Sequence, residues 1–286
     1  MAIVLGPNRY GKAETRLVRV SRDGDTHSLA DFNVSVSLSG DLAETHLTGD
    51  NSGVLPTDTM KNTVYAFAKK HGVGEPEEFA LLLARHFVAT QEQVFAARVS
   101  IESIAWERLG PHSFQRKGDY TRLASIVVTD EFEQVVSGLT GLVLLNSTAS
   151  EFHGFPRDEY TTLPETTDRI LATAVDARWR HLSASTDFTK SYAGAVEAMT
   201  SAFVNTYSYS LQQTLLSMGS QVLSQRPEIA EIRLALPNKH HYLVDLSPFD
   251  LANDNEVFIA GDRPYGLIEG TVTRDDAPPA AAEWYL

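Results

Sequence analysis

Arg169 and Gln212 carry the two side chains best suited to grip a flat polar molecule. A guanidinium offers a planar fork to a carbonyl or an anion. A glutamine amide presents one donor and one acceptor edge, and so can read the lactam or urea edge of a heterocycle. Arg169 follows the loop "SEFHGFPRDEYTTLPETTDRIL", where Phe152, Phe155 and Tyr160 stand among charges and two prolines. Those charges read most simply as solvated, but a loop carrying two phenylalanines suits the wall of a binding site. Gln212 and Gln213 open the apolar stretch "SLQQTLL", where most helical glutamines face water.

Two other stretches invite the same question. In "LPNKHHYLVD" strand alternation puts Asn238, His240 and Tyr242 on one face and Lys239, His241 and Leu243 on the other. The adjacent histidines therefore point apart, which disfavours a two-histidine metal site. The plain alternative is a turn that ends one strand and begins the next. In "GVLPTDTMKNTVYAFAKKHG" the residues Thr57, Asp58 and Thr59 precede apolar Met60, Val64 and Phe67, a pattern that on its own predicts side-chain capping of a helix. Lys69, Lys70 and His71 then lead to Gly72, which suits the helix C-terminus. Lys12, in "YGKAE", reads by default as a surface lysine.

Composition narrows the classes. The 286 residues can bury a large core, in one big domain or two of ordinary size. A net charge of −13 argues against a nucleic-acid or anionic-membrane surface, although a single Arg can still dominate its own pocket. The chain has no cysteine, so disulfides, thiolate nucleophiles and thiolate metal sites are excluded. No Walker loop, dinucleotide fingerprint or H-E-x-x-H motif is present. No apolar run approaches the roughly 18 residues of a membrane span. With no secretory pattern at the start and no Ser-Lys-Leu ending, the expected location is the cytoplasm.

The elements that must position these residues follow from periodicity. A hairpin is expected through "ETRLVRV", "SRDGDTH" and "FNVSVSLSG", then helices near 59–71 and 76–89, then extended "FAARVSIESIAWERL" and "RLASIVVTD". The second half repeats the order: extended segments near 132–146 and 172–185, helices near 188–206 and 209–225, then strands "EIRLAL", "HYLVDL", "EVFIA" and "YGLIEGTVT". The helix stripes are Phe188, Tyr192, Val196, Met199 and Phe203, then Leu211, Leu215, Met218 and Val222. The fold class expected is α+β. Two tandem ββααββ domains, 1–135 and 136–286, each set an antiparallel sheet under a helix pair. Closure of the sheet edges by oligomerisation is the expected way to manage them.

Together the blocks "YGKAETRLVRV", "TDTMKNTVYAFAKK", "STASEFHGFPRDEYTTLPETTDRILAT", "SLQQT", "LPNKHHYLVDL" and "EVFIAGDRPYGLIEGTV" resemble, in order and over nearly the full length, the urate oxidase (uricase) family. The resemblance implies the tunnelling fold, with a barrel closed between subunits and a homotetramer. It also implies oxidation of urate by O2 and water to 5-hydroxyisourate and hydrogen peroxide, with no metal or organic cofactor. Lys12 and Thr57 match the family's catalytic dyad, with the Lys12 amine as base. The backbone N–H groups of Thr57 and Asp58 match those set against the purine's five-membered ring, so the helix entrance would also be the pocket floor. Phe152 matches the ring that stacks on the purine. Arg169 and Gln212, helped by the Leu211 backbone, match the grip on its pyrimidine edge. Asn238 and His240 match the residues that hold O2 or water over the ring. Lys12, Thr57 and Asp58 would come from one subunit and the others from its neighbour.

Two positions depart from the family pattern. Asn146 stands where a Lys is usual, and Pro56 stands where a small residue is common, stiffening the approach to Thr57. A tunnelling-fold enzyme acting on pterins, or a non-catalytic urate-binding paralogue, remains the alternative at this stage.

Overall fold

In the computed structural model, which describes residues 2–282 and Trp284, the alternating segments become one continuous antiparallel sheet. The strands are β1 (Tyr10–Ser21), β2 (Ser28–Gly40), β3 (Val94–Ser103), β4 (Trp106–Arg108), β5 (Phe114–Arg116), β6 (Thr121–Thr129), β7 (Glu133–Asn146), β8 (Leu171–His181), β9 (Ile229–Pro237), β10 (His240–Leu243), β11 (Phe258–Gly261) and β12 (Leu267–Thr273). The helices are α1 (Ala43–Leu47), α2 (Thr57–His71), α3 (Pro76–Thr90), α4 (Phe188–Asn205) and α5 (Leu211–Gln225). The main sheet runs β1-β2-β3-β6-β7-β8-β9-β12. It is a doubled ββααββ order, with the β6–β7 hairpin joining the two halves.

Alternation explains the layering. Phe32, Val34, Val36 and Leu38 on β2, Val99 and Ile101 on β3, and Val175, Ala177 and Trp179 on β8 are buried. The residues between them are polar and half-exposed: Asn33, Ser35, Ser37, Arg98, Ser100, Asp176 and Arg178. One face thus packs and the other is wetted. The buried residues form two clusters. One gathers Met60 and Val64 of α2 and Phe79, Leu83 and Phe87 of α3 against β2, β3 and β6. The other gathers Met199 and Phe203 of α4 and Met218 and Val222 of α5 against β8 and β9. No helix among the described residues is long and apolar enough to cross a membrane.

A polar group links the two halves beneath the helices. Glu77, in the first turn of α3, is fully buried. It accepts hydrogen bonds from Ser137 Oγ of β7 (2.5 Å) and from Arg122 of β6 (2.7 Å), and Ser137 Oγ also meets His181 Nε2 at 2.9 Å. Burial raises the Glu77 pKa against the opposing Arg122 charge. Burial lowers that of His181 to about 4, with Glu228 opposing and Arg122 and Arg226 adding to the fall.

Several expectations need correction. The run "FAARVSIESIAWERL" is not one strand: β3 ends at Ser103, and β4 pairs with β5 in a separate ribbon. The strands expected at "HYLVDL" and "EVFIA" are present as β10 and β11, and they pair with each other in a ribbon apart from the main sheet. The strand expected near 172–185 ends at His181, because "SASTD" turns into α4. The short helix α1 has no buried residue and so left no apolar stripe to read.

Candidate functional site

Lys12 sits on the edge strand β1, immediately before a break in register between Lys12 and Thr15. Glu14 takes a positive φ of 55°, and its N–H donates to Ser35 Oγ at 3.0 Å. A β-bulge of this kind re-aims neighbouring side chains. A Cβ added to Gly11 would lie 1.9 Å from the Val36 carbonyl oxygen, so the residue before Lys12 must be glycine. Tyr10 Oη donates to the Leu55 carbonyl at 3.0 Å and ties this end of β1 to the approach to α2.

The helix entrance differs from the capping reading. The N-cap is Pro56, with φ −56° and no side-chain cap, and Thr57 is the first helical residue. The Asp58 carboxylate bonds to Lys61 and Asn62 instead of to backbone amides. Lys61 chiefly, then Asn62 and the more distant Lys12 charge, hold Asp58 below its usual pKa. The Pro56 carbonyl takes the N–H groups of Thr59 and Met60. The amides of Thr57 and Asp58 lack intrahelical acceptors by helix geometry, so they form an uncovered donor pair. Proline is accommodated here because the N-cap supplies a carbonyl and needs no N–H.

At the other end of the sheet lies a cavity of about 530 Å³ lined by Phe152, Asp168, Arg169, Asn238, His240 and Tyr242 among others. Phe152 is held by a two-way backbone pairing with Thr166 (2.8 and 3.1 Å). It stacks on Phe155 at 5.0 Å, and the Arg169 guanidinium lies 5.2 Å from its ring centroid. Arg169 is half-buried, and burial lowers its pKa. Among the described residues no carboxylate pairs with it; its Nε donates to Ser150 Oγ at 3.2 Å. Asn238 bridges Thr173 of β8, and its N–H donates to the Gly266 carbonyl at 2.8 Å. His240 opens β10 and stacks with Tyr242 at 5.8 Å, consistent with the shared face.

Leu211 and Gln212, at the start of α5, are not among the residues lining this cavity; the chain just before α5 is tied to the segment preceding Phe152 by the Ser150–Ser208 bridge. Ser210 caps the helix by accepting from Gln213 N–H at 3.2 Å, while Gln213 Oε1 accepts from Tyr209 N–H at 3.0 Å. The pair differs from a capping box in that the back-bond goes to Tyr209, the residue before the N-cap, and not to Ser210 itself. It occupies Gln213 and leaves the exposed Gln212 amide unpaired among the described residues. The S-x-x-Q spacing was the signal that separates the two glutamines. Asn146 donates to the Phe203 carbonyl at 3.0 Å, tying β7 to the end of α4.

The chain therefore brings Phe152, Arg169, Asn238 and His240 together in one lining, which does not include Leu211 and Gln212. It keeps Lys12, Thr57 and Asp58 apart from them. From β1 to β8 is five strand spacings in the sheet order, about 24 Å along the sheet. No group of three or more metal-ligating side chains occurs among the described residues.

Comparison with known proteins bears on this arrangement. The uricase family model matches residues 8–127 and 135–269. Uricase from Arthrobacter globiformis is 50% identical over 275 residues, covering 96% of this chain and 91% of that protein. Uricase from Dictyostelium discoideum is 40% identical, covering 93% and 96%. A crystal structure of the Arthrobacter globiformis uricase superposes with a TM-score of 0.96 at 48% identity, covering 98% of each chain.

Proposed function

The chain belongs to the uricase family and its activity is urate oxidation, an oxidoreductase step of purine degradation; from that premise we propose which of its residues carry the reaction. The supporting observation is the half-buried Arg169 guanidinium over Phe152, without a carboxylate partner among the described residues. A cation desolvated in that way favours a flat anion, which satisfies it electrostatically and stacks on the ring.

In this reading urate binds as its anion. Phe152 supports the ring plane, and Arg169 with Gln212 and the Leu211 backbone holds the pyrimidine edge. The amides of Thr57 and Asp58 meet the five-membered ring at the positive end of α2. Two electrons leave the urate ring and reduce O2 to peroxide. The oxygen of a water molecule bonds to the oxidised carbon, and the protons released complete hydrogen peroxide. Lys12 through Thr57 accepts and returns protons, while Asn238 and His240 hold O2 and then water over the ring. The protein's part is to favour the anion, exclude bulk water and relay protons, with O2 as co-substrate and no cofactor.

The separation of the two residue groups supports a site completed between subunits, with the open edges β1 and β12 paired in a homotetramer. Division of the chain into 1–135 and 136–286 is supported by the two matched segments of the family model and by the two buried clusters. The place proposed for the reaction is the cytoplasm, which fractionation of the producing cells checks.

The test uses the purified, metal-stripped protein with urate in aerated buffer. Loss of the near-ultraviolet urate band with stoichiometric peroxide is expected. Persistence of the band while urate still binds would reject the relay and leave a urate-binding protein.

A further inference from the structure

Three hydroxyl groups near the Arg169 loop are used by none of the steps above. Ser150, Ser208 and Thr214 are each fully buried. Ser150 holds Arg169 twice: its carbonyl accepts the Arg169 backbone N–H at 2.9 Å and its Oγ accepts the side-chain Nε–H at 3.2 Å. Ser150 also forms a parallel bridge with Ser208, through Ser208 N–H to the Ala149 carbonyl and Glu151 N–H to the Ser208 carbonyl, both 2.9 Å. Ser208 Oγ donates to the Ser210 carbonyl at 3.1 Å, and Thr214 Oγ1 donates to Ser208 Oγ at 2.8 Å. The line runs unbroken from the guanidinium to the first turn of α5, which carries Leu211 and Gln212.

We propose that Ser150, Ser208 and Thr214 form a buried positioning unit that fixes the Arg169 fork relative to the N-terminus of α5, and thereby sets the grip on the pyrimidine edge of the substrate. The inference rests on the reading of Arg169 and Gln212 as that grip. An arginine has free rotation about several bonds, and α5 lies on a different stretch of chain, so nothing in local sequence holds the two groups in register. Consuming Nε on Ser150 removes that freedom and leaves the terminal nitrogens for the ligand. The geometry at the junction is specific: Ala149 takes a φ of 59°, a conformation that L-residues seldom adopt unless the surroundings impose it. The hydroxyls matter because a buried donor left without its acceptor is costly, so each fixes its neighbour.

The experiment is a double-mutant cycle read by equilibrium binding of urate under anaerobic conditions, where turnover cannot occur. Ser150→Ala in the wild-type background should weaken urate binding about tenfold, the loss typical of one hydrogen bond to a charged group. In the Arg169→Ala background the same change should matter less than twofold, since its partner is gone. Thr214→Val, nearly isosteric, should weaken binding about threefold in the wild type and leave binding unchanged in the Gln212→Ala background. Thermal midpoints are recorded for every variant, and a purely structural role would lower them without coupling to Arg169. Equal losses in both backgrounds, or no loss in either Ser150→Ala or Thr214→Val, would overturn the proposal. Unchanged binding in Arg169→Ala alone would instead overturn the grip itself, and with it this inference.

Discussion

The Arg169 guanidinium lies 5.2 Å from the centroid of the Phe152 ring, and both side chains line the same cavity. A cation and an aromatic face held together in this way select for a flat, electron-rich anion. Each contributes differently: the ring supplies area and plane, the guanidinium supplies charge and a directed edge. Arg169→Ala should therefore raise the KM for urate about ten- to a hundredfold, with kcat changed much less. Arg169→Lys should recover only part of the loss, because an ammonium lacks the planar fork. Steady-state kinetics decides, and an unchanged KM would remove Arg169 from the grip.

Pro56 precedes Thr57 with φ −56°, a value its ring already favours, and its carbonyl serves the first turn of α2. Its stiffness thus acts mainly on the unfolded chain. Pro56→Ala should lower stability by about 0.5–1 kcal/mol and leave kcat near wild type. Denaturant unfolding beside a urate assay tests both halves, and a large fall in kcat would show that Pro56 also sets the Thr57 geometry.

How much of this was legible depended on the range of the interaction. The stripe Phe188, Met199 and Phe203 and the alternation Phe32, Val34, Val36 are local periodicities, and the buried faces follow them. The β4–β5 and β10–β11 ribbons have three or four residues per strand and no buried alternation, so β4 read as a continuation of β3, β5 gave no signal, and β10 and β11 read as strands without showing that they pair apart from the main sheet. Glu77 has the position of ordinary first-turn acidity in α3, and its burial against β6 and β7 is a long-range fact that no local pattern carries. Of the site, the residue types were readable from the chain itself, whereas the partition of Lys12 from Arg169 entered only through the family resemblance, because it depends on strand order across the whole sheet.

His181 gives the protein an acid limit. Its neutral form is favoured by burial, so its pKa in the folded chain is about 4 against about 6.5 when unfolded. Between those values the unfolded chain binds the extra proton, so stability is full above pH 6.5 and falls as pH drops towards 4. His181 alone accounts for about 3 kcal/mol of that fall, at 1.36 kcal/mol per pKa unit. Glu77 works in the opposite sense, since burial raises its pKa and its share is lost as pH rises, so the net slope is smaller. Denaturant midpoints at pH 7 and pH 5 should separate more in the wild type than in His181→Gln. The same separation in both would show that another group sets the acid limit.

The distance between Lys12 and the Arg169 cavity leads to the most discriminating prediction. Lys12→Met should lower kcat by about 10²–10⁴ while sparing urate binding, as expected for loss of a positioned proton-transfer group. Arg169→Ala, assayed below its KM, should be nearly silent for a different reason. If each site joins the Lys12 half of one chain to the Arg169 half of another, a mixed pair of these two variants contains one doubly defective site and one intact site. Random mixing makes half the pairs mixed, so refolding the two variants together should restore about a quarter of wild-type activity. A site built within one chain has no such route, because every chain in the mixture lacks one of the two residues. Activity of the mixture no greater than that of the separate variants would place both halves of the site in a single subunit.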